Sequence, residues 1–269
     1  MSENRTATAW SQGLPTGAPI AVTGASSGIG AAMAQHLAEH GVSIIALGRR
    51  VPDCPVAQFI ELDISDPSSI EEAAKHVPSG LGGLCNIAGV AATQSSQMIA
   101  RSNYLGLRLF TESLTSKIVR GGSIVNIGSS SGFAWSERKA QHVELGSTSG
   151  FDEGLRWLAQ HPVSDAKAYG YFKEALIVWT MQRALSLRDA AGIRMNCVSP
   201  GPVETPILQQ IRSVRGEDSM SDAIRRGGGI ARPADIVPAI AFMLSAASHW
   251  MVGANLAIDG GLVASMTVE

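Results

Sequence analysis

Tyr169 and Lys173 stand four positions apart in the run AYGYFKEAL. On a helix that spacing brings both side chains to one face. A free tyrosine, with a pKa of about 10, is a poor base at neutral pH, but a neighbouring ammonium favours its phenolate. Such a group can accept the proton of an alcohol or return one to a carbonyl. Tyr171 lies in the same run, yet its i+4 partner is Ala175 and it lacks the ammonium. Ser129 follows Asn126-Ile127-Gly128 at a predicted strand end, where its hydroxyl can bond the same reacting oxygen. Thr23-Gly24-Ala25-Ser26-Ser27-Gly28-Ile29-Gly30 supplies a second kind of chemistry, an anion site made from backbone N–H groups at a helix N-terminus. There Gly24 permits a tight turn, Gly28 lets the backbone approach a diphosphate, and Gly30 allows close packing of helix on strand. The spacing is G-xxx-G-x-G rather than G-x-G-x-x-G.

These residues need a scaffold that gathers strand ends, and the chain patterns for one. Short β-rich runs over 19–23, 42–47, 57–62, 83–87, 123–127, 194–198 and 255–258 alternate with helical periods over 28–40, 68–76, 97–120, 165–187 and 233–247. The alternation predicts a single α/β domain with a doubly wound, parallel, seven-stranded Rossmann-like sheet. Its extent is 18–269, after a flexible leader over 1–17, with an insertion at about 133–164 and a substrate loop at about 204–231. The 269 residues carry 21 basic and 23 acidic side chains and are 45% hydrophobic, which excludes a chain disordered throughout and disfavours nucleic acid or an anionic membrane as the main partner. Three cysteines without a CxxC pair suggest neither a disulfide framework nor a zinc site, and the six histidines show no ligand spacing, so no metal is expected. The 29 glycines exceed the usual share of about 7%, so they should have local roles. No long apolar span or export signal is visible, and a cytoplasmic location is expected.

Two further motifs complete the pattern: Asn86-Ile87-Ala88-Gly89 closes the fourth predicted strand, and Pro200-Gly201-Pro202-Val203-Glu204-Thr205-Pro206 follows the sixth. With the glycine run, Ser129 and the Tyr169/Lys173 pair, the sequence resembles the short-chain dehydrogenase/reductase family over 19–261. The resemblance implies an NAD(P)-dependent oxidoreductase interconverting an alcohol and a carbonyl, with Tyr169 as general acid/base, Lys173 beside it and Ser129, rather than Ser130 or Ser131, holding the substrate oxygen. Asn103 would position a water that links Lys173 to solvent. It also assigns cofactor contacts to Gly24, Ser26, Ser27, Gly28, Ile29, Gly30, Arg49, Asp63, Ile64, Asn86, Ala88, Gly89, Tyr169, Lys173, Pro200, Gly201, Val203 and Thr205, with Asp63 at the adenine amino group and Thr205 near the nicotinamide. Ile87 departs from the family pattern, where a second Asn is common, and so does Phe172, where a small residue is common.

The second strand ends in Gly48-Arg49-Arg50, with no acid for a ribose 2′-hydroxyl and a cation in reach of a 2′-phosphate. This predicts NADP(H), with Arg49 and Ser26 at the phosphate; the alternative is that both arginines are solvated and NAD(H) is accepted. The interval from Ser129 to Tyr169 is long and resembles the insertion of the bacterial 3α-hydroxysteroid dehydrogenase/carbonyl reductase subgroup. Ser131, Phe133, Trp135 and Trp157, with Phe151 and Leu158, are its candidate contacts to a bulky apolar alcohol or ketone, such as an aromatic alcohol or a steroid. Alternatively they pack the insertion onto the body. A homodimer or homotetramer is implied by the resemblance. A catalytically silent NADP-sensing regulator or scaffold on the same fold is the competing functional reading.

Overall fold

The computed structural model describes residues 14, 17–215 and 217–268. The leader expected over 1–17 therefore lies outside the described residues except for Leu14 and Gly17, and Leu14 is buried in the core. In chain order the elements begin β1 (Ile20–Thr23), α1 (Gly28–Glu39), β2 (Ile44–Gly48), β3 (Gln58–Glu61), α2 (Pro67–His76) and β4 (Leu81–Asn86). Next come α3 (Ser96–Ala100), a π-turn (Arg101–Leu105), α4 (Gly106–Leu114) and β5 (Ile118–Ile127). The insertion supplies α5 (Lys139–Ser147) and α6 (Phe151–Gln160), and α7 (Asp165–Ala191) leads to β6 (Arg194–Pro200). The chain closes with α8 (Pro206–Arg215), α9 (Glu217–Arg226), α10 (Pro233–Leu244), β7 (Asn255–Ile258) and α11 (Leu262–Val268).

All seven strands are parallel, in the order β3-β2-β1-β4-β5-β6-β7. Strands such as IIALG in β2 are buried along nearly their whole length, because helices cover both faces of the sheet. One face packs against α1 and α10; the other packs against α2, α4 and α7, with the insertion outside them. The order reverses between β1 and β4, and a crevice opens there above the strand ends.

Local chemistry sets the element boundaries. Asp66 caps α2 by accepting from the N–H groups of Ser68 and Ser69, with Pro67 in the first turn. The long α7 ends at Gly192, whose φ of +66° reverses the chain. The helix predicted over 97–120 is corrected. It is interrupted by the π-turn, closes at Leu114, and passes through the 3-10 turn Thr115–Lys117 into β5 at Ile118. Directly after the π-turn the backbones approach closely, since a Cβ at Gly106, the first residue of α4, would lie 1.8 Å from the carbonyl oxygen of Ile64. Ile118 pairs with Leu81 of β4, so sheet pairing overrides a helical apolar period.

Candidate active site

A cleft of about 890 Å³ lies above the carboxyl ends of β1, β4, β5 and β6. Its floor begins at the glycine turn after β1. Gly24 and Gly28 adopt φ of +72° and +53°, which L side chains rarely tolerate. Gly30 faces inward, where a Cβ would sit 2.1 Å from the carbonyl oxygen of Gly24. Ser27 caps α1 without a side-chain hydrogen bond, so the first-turn N–H groups remain available to an anion. This cradle fits a dinucleotide diphosphate. A Gly30→Ala enzyme is expected to bind NADH at least about tenfold more weakly, because the turn must shift to clear the methyl group. Titration of nicotinamide fluorescence reads this directly, and unchanged affinity refutes the role given to the close approach.

Thr23 fixes the neighbouring strand end: its hydroxyl oxygen accepts from the N–H groups of Ile87 and Ala88, both at 3.0 Å. Asn86 faces away from the cleft and is buried. Its Nδ2 donates to Thr111 Oγ1 and Asn126 Oδ1, both at 2.8 Å, and Asn126 Nδ2 donates to Thr180 Oγ1 at 2.9 Å. At the edge of β3, Asp63 accepts from the Ser65 hydroxyl at 2.7 Å and from its N–H at 2.9 Å. Those bonds, the hydroxyl's first, hold its carboxyl below the usual range, with smaller help from Arg49 and Arg101.

Tyr169 and Lys173 emerge together from α7 into the cleft, with the Lys173 Nζ 5.8 Å from the Tyr169 ring centre. Lys173 is 8% exposed and donates to the Ile127 carbonyl at 2.6 Å. Burial lowers its pKa to about 8. Opposite stands Ser129, the first residue of an arch continuing into the 3-10 segment Ser130–Ser136; its Oγ accepts from Ser131 N–H at 3.1 Å. Asn103 sits in the π-turn with its side chain clamped on Val90: Oδ1 accepts from the backbone N–H at 2.7 Å and Nδ2 donates to the carbonyl at 2.9 Å. The amide therefore holds the segment after β4 in place, and a water-holding role does not draw on those two bonds.

The cleft brings together Gly24, Ser26, Ser27, Gly28, Ile29, Arg49, Asp63, Ile64, Ala88, Gly89, Pro200, Gly201, Val203 and Thr205, along with Asn103, Ser129, Ser131, Phe133, Tyr169 and Lys173. Gly30 and Asn86 lie behind its surface. The other expected substrate contacts are corrected. Trp157 stacks on His161, ring centres 3.9 Å apart, and packs the insertion against the core. Trp135 lies beyond a kink at Ala134 and does not line the cleft, whereas Phe133, before the kink, does. Phe151 is likewise buried in the core and Leu158 packs against it, both away from the cleft. The apolar wall instead draws on Val90, Met98, Ile207, Leu208, Ile211 and Met266. Ile207 and Ile211, four apart, carried a readable helical signal within the loop predicted over 204–231; Met266, beyond the last strand, carried none. Among the described residues no group of three His, Cys, Asp or Glu side chains is arranged to hold a metal, and no helix is long and apolar enough to cross a membrane.

Comparison with known proteins agrees with this geometry. A family model described as short chain dehydrogenase matches 19–141, and one described as enoyl-(acyl carrier protein) reductase matches 157–263. The chain is 44% identical to coniferyl-alcohol dehydrogenase of Pseudomonas sp. (strain HR199 / DSM 7063), covering 93% of this chain and 98% of that protein. It is 26% identical to the 3-alpha-hydroxysteroid dehydrogenase/carbonyl reductase of Comamonas testosteroni, over 92% of this chain and 97% of the other. A solved 3-alpha-hydroxysteroid dehydrogenase from Pseudomonas sp. B-0831 superimposes with a TM-score of 0.77 at 28% identity, covering 93% of this chain and 99% of that one. That enzyme is complexed with NADH, which overturns the expectation of NADP(H) drawn from Gly48-Arg49. The physical reason lies at the end of β2. Arg49 is exposed and has the Asp63 carboxylate in its field, so it has an anion without a 2′-phosphate. With the glycine cradle, the Tyr169/Lys173 pair, two consecutive family matches and a relative sharing 44% of its residues end to end, the chain belongs to the short-chain dehydrogenase/reductase family of oxidoreductases.

Proposed function

We propose that this protein is an NAD(H)-dependent alcohol dehydrogenase that interconverts a bulky aromatic alcohol and its carbonyl compound. The observation that carries the reading is the meeting, in one cleft, of the Tyr169/Lys173 pair, Ser129 and an apolar wall. The 44% identity to a coniferyl-alcohol dehydrogenase supports an aromatic substrate over a polyol. When bound, the nicotinamide supplies the hydride acceptor or donor. Ser129 spends a lone pair on Ser131 N–H and keeps its hydroxyl proton to orient the substrate oxygen. Tyr169 takes the alcohol proton in oxidation and returns it in reduction, and the buried Lys173 ammonium steadies the phenolate. Met98, Phe133, Ile207 and Ile211 shield the reacting carbon from water and provide apolar area for a ring.

Coniferyl alcohol, a 3α-hydroxysteroid and a small polyol, each assayed with NAD+ and NADP+ by the absorbance of the reduced nicotinamide, test this reading. Coniferyl alcohol with NAD+ is expected to show the highest kcat/KM, at least about tenfold above the same alcohol with NADP+. Turnover confined to polyols refutes the apolar site.

A further inference from the structure

The mechanism leaves one buried ionic cluster unused, directly behind the catalytic helix. Glu174 follows Lys173 on α7 but points away from the cleft, and its side chain is only 3% exposed. Both of its carboxylate partners come from the insertion. Arg138 donates from Nε to Oε2 at 2.8 Å and from Nη2 to Oε1 at 2.5 Å, a two-pronged grip. His142, fully buried, bonds Oε2 through Nε2 at 2.9 Å and meets the Tyr171 ring edge-on at 4.7 Å between centres. Burial by itself raises the pKa of the carboxyl, but the bonds from His142 and Arg138 outweigh it and keep Glu174 ionised. An interior carboxylate in that state holds its partners firmly, because losing either one strands a charge.

What Glu174 holds is the arch that carries Ser129 and Phe133 into the cleft. The 3-10 segment Ser130–Ser136 is kinked at Ala134, and its only buried residues are Ser130 and Gly132, with Ala134 and Trp135 half-buried, so no fully buried apolar side chain anchors it. At its start it is pressed on α7: a Cβ at Gly132 would lie 3.0 Å from the Lys173 carbonyl carbon and 3.1 Å from the Glu174 nitrogen. At its end the chain reaches Arg138. The arch is thus pinned to α7 at Gly132 and again at Arg138.

We infer that Glu174 is a positioning residue, which acts through Arg138 and His142 to hold the Ser129–Phe133 arch against α7 and so sets how tightly the cleft grips a bulky alcohol. The kinetic half of this inference rests on the function proposed above; the structural half does not.

Two variants test it, Glu174→Gln and Arg138→Met, the second removing a head group that already reaches solvent. Hydrogen exchange is followed without any ligand. Amides over 130–138 are expected to exchange about tenfold faster or more in both variants, while those over 176–187 of α7 keep the wild-type rate. Wild-type exchange over 130–138 in a folded variant overturns the inference, as does equal loosening of both segments. If Glu174→Gln fails to fold, Arg138→Met decides alone. In turnover, kcat/KM for coniferyl alcohol is expected to fall about tenfold, with the KM for NAD+ nearly unchanged. An equal weakening toward NAD+ marks a merely structural role and also overturns the inference. A wild-type enzyme that turns over no alcohol sinks the proposed function instead, and the exchange measurement still judges the arch.

Discussion

A Tyr169→Phe enzyme is expected to keep its fold and its affinity for NADH while kcat/KM for the alcohol falls by about a thousandfold, within the 10²–10⁴ range of general acid–base catalysis. The substitution removes one oxygen from a side chain that is already 9% exposed, and leaves the ring beneath Lys173. Steady-state kinetics in both directions, with NADH affinity from fluorescence, separate the chemical step from binding. The contrast is Tyr171→Phe, two residues along the same helix. The Tyr171 hydroxyl is buried without a hydrogen-bond partner, and burial pushes its pKa far upward. Removing it is expected to leave kcat unchanged and stability equal or slightly improved. If both phenylalanine variants behave alike, Tyr169 is not the acid/base.

Lys173→Met is expected to match the loss of Tyr169→Phe in activity, and it carries a second signature in stability. In the folded protein the Lys173 pKa is about 8, against an ordinary 10.5. Between those values the unfolded chain holds a proton that the folded chain has released, so raising the pH favours the folded state. The wild type without ligand should therefore gain on Lys173→Met by about 1.4 kcal/mol per pH unit from pH 8 toward 10.5, with no gain below pH 7. Cys197 lies close by, but burial keeps its thiol neutral to about 11 even with the Lys173 charge pulling it down, so it stays uncharged over the range measured in both proteins. Chemical denaturation of the two proteins at pH 7, 8, 9 and 10 measures the difference. A flat difference means that the ammonium is better solvated than its burial implies.

The parts of the site that were legible in the sequence are those whose chemistry is local. Gly24, Gly28 and Gly30 read as a cradle because the loop and the helix start lie in one run of residues. Tyr169 and Lys173 read as a pair because a helix fixes what sits at i and i+4. The sheet followed from alternation, and all seven strands appear near their expected places. What failed depends on neighbours far along the chain. Ile118 continued an apolar period from Leu114, and only its pairing with Leu81 makes it a strand. Trp157 was correctly apolar-facing, but its spacing could not say whether it met substrate or core; its partner is His161, and the surface beneath is the body of the fold. Arg49 was read by the absence of an acid beside it, while the acid in its field, Asp63, belongs to the next strand end. Met266 is brought to the cleft by the last turn of the chain, where no local motif announces it.

The asparagine and threonine chain beneath the cleft has a direction. Asn86 gives both amide hydrogens away, to Thr111 and Asn126; Asn126 passes one on to Thr180; and the two threonine hydroxyls end on the carbonyls of Leu107 and Leu176. The donors run outward from β4, directly to α4 or by way of β5 to α7. Turning the Asn126 amide over would set two NH₂ groups face to face, so the order of the bonds is written by the fold, not chosen by a ligand. A row of dipoles locked in this way acts as a fixed polarity under a cleft whose walls must admit and release molecules. The two layers then live on different clocks: side chains above it can rearrange with each turnover, while the lattice below is renewed only when α4 and α7 part from the sheet.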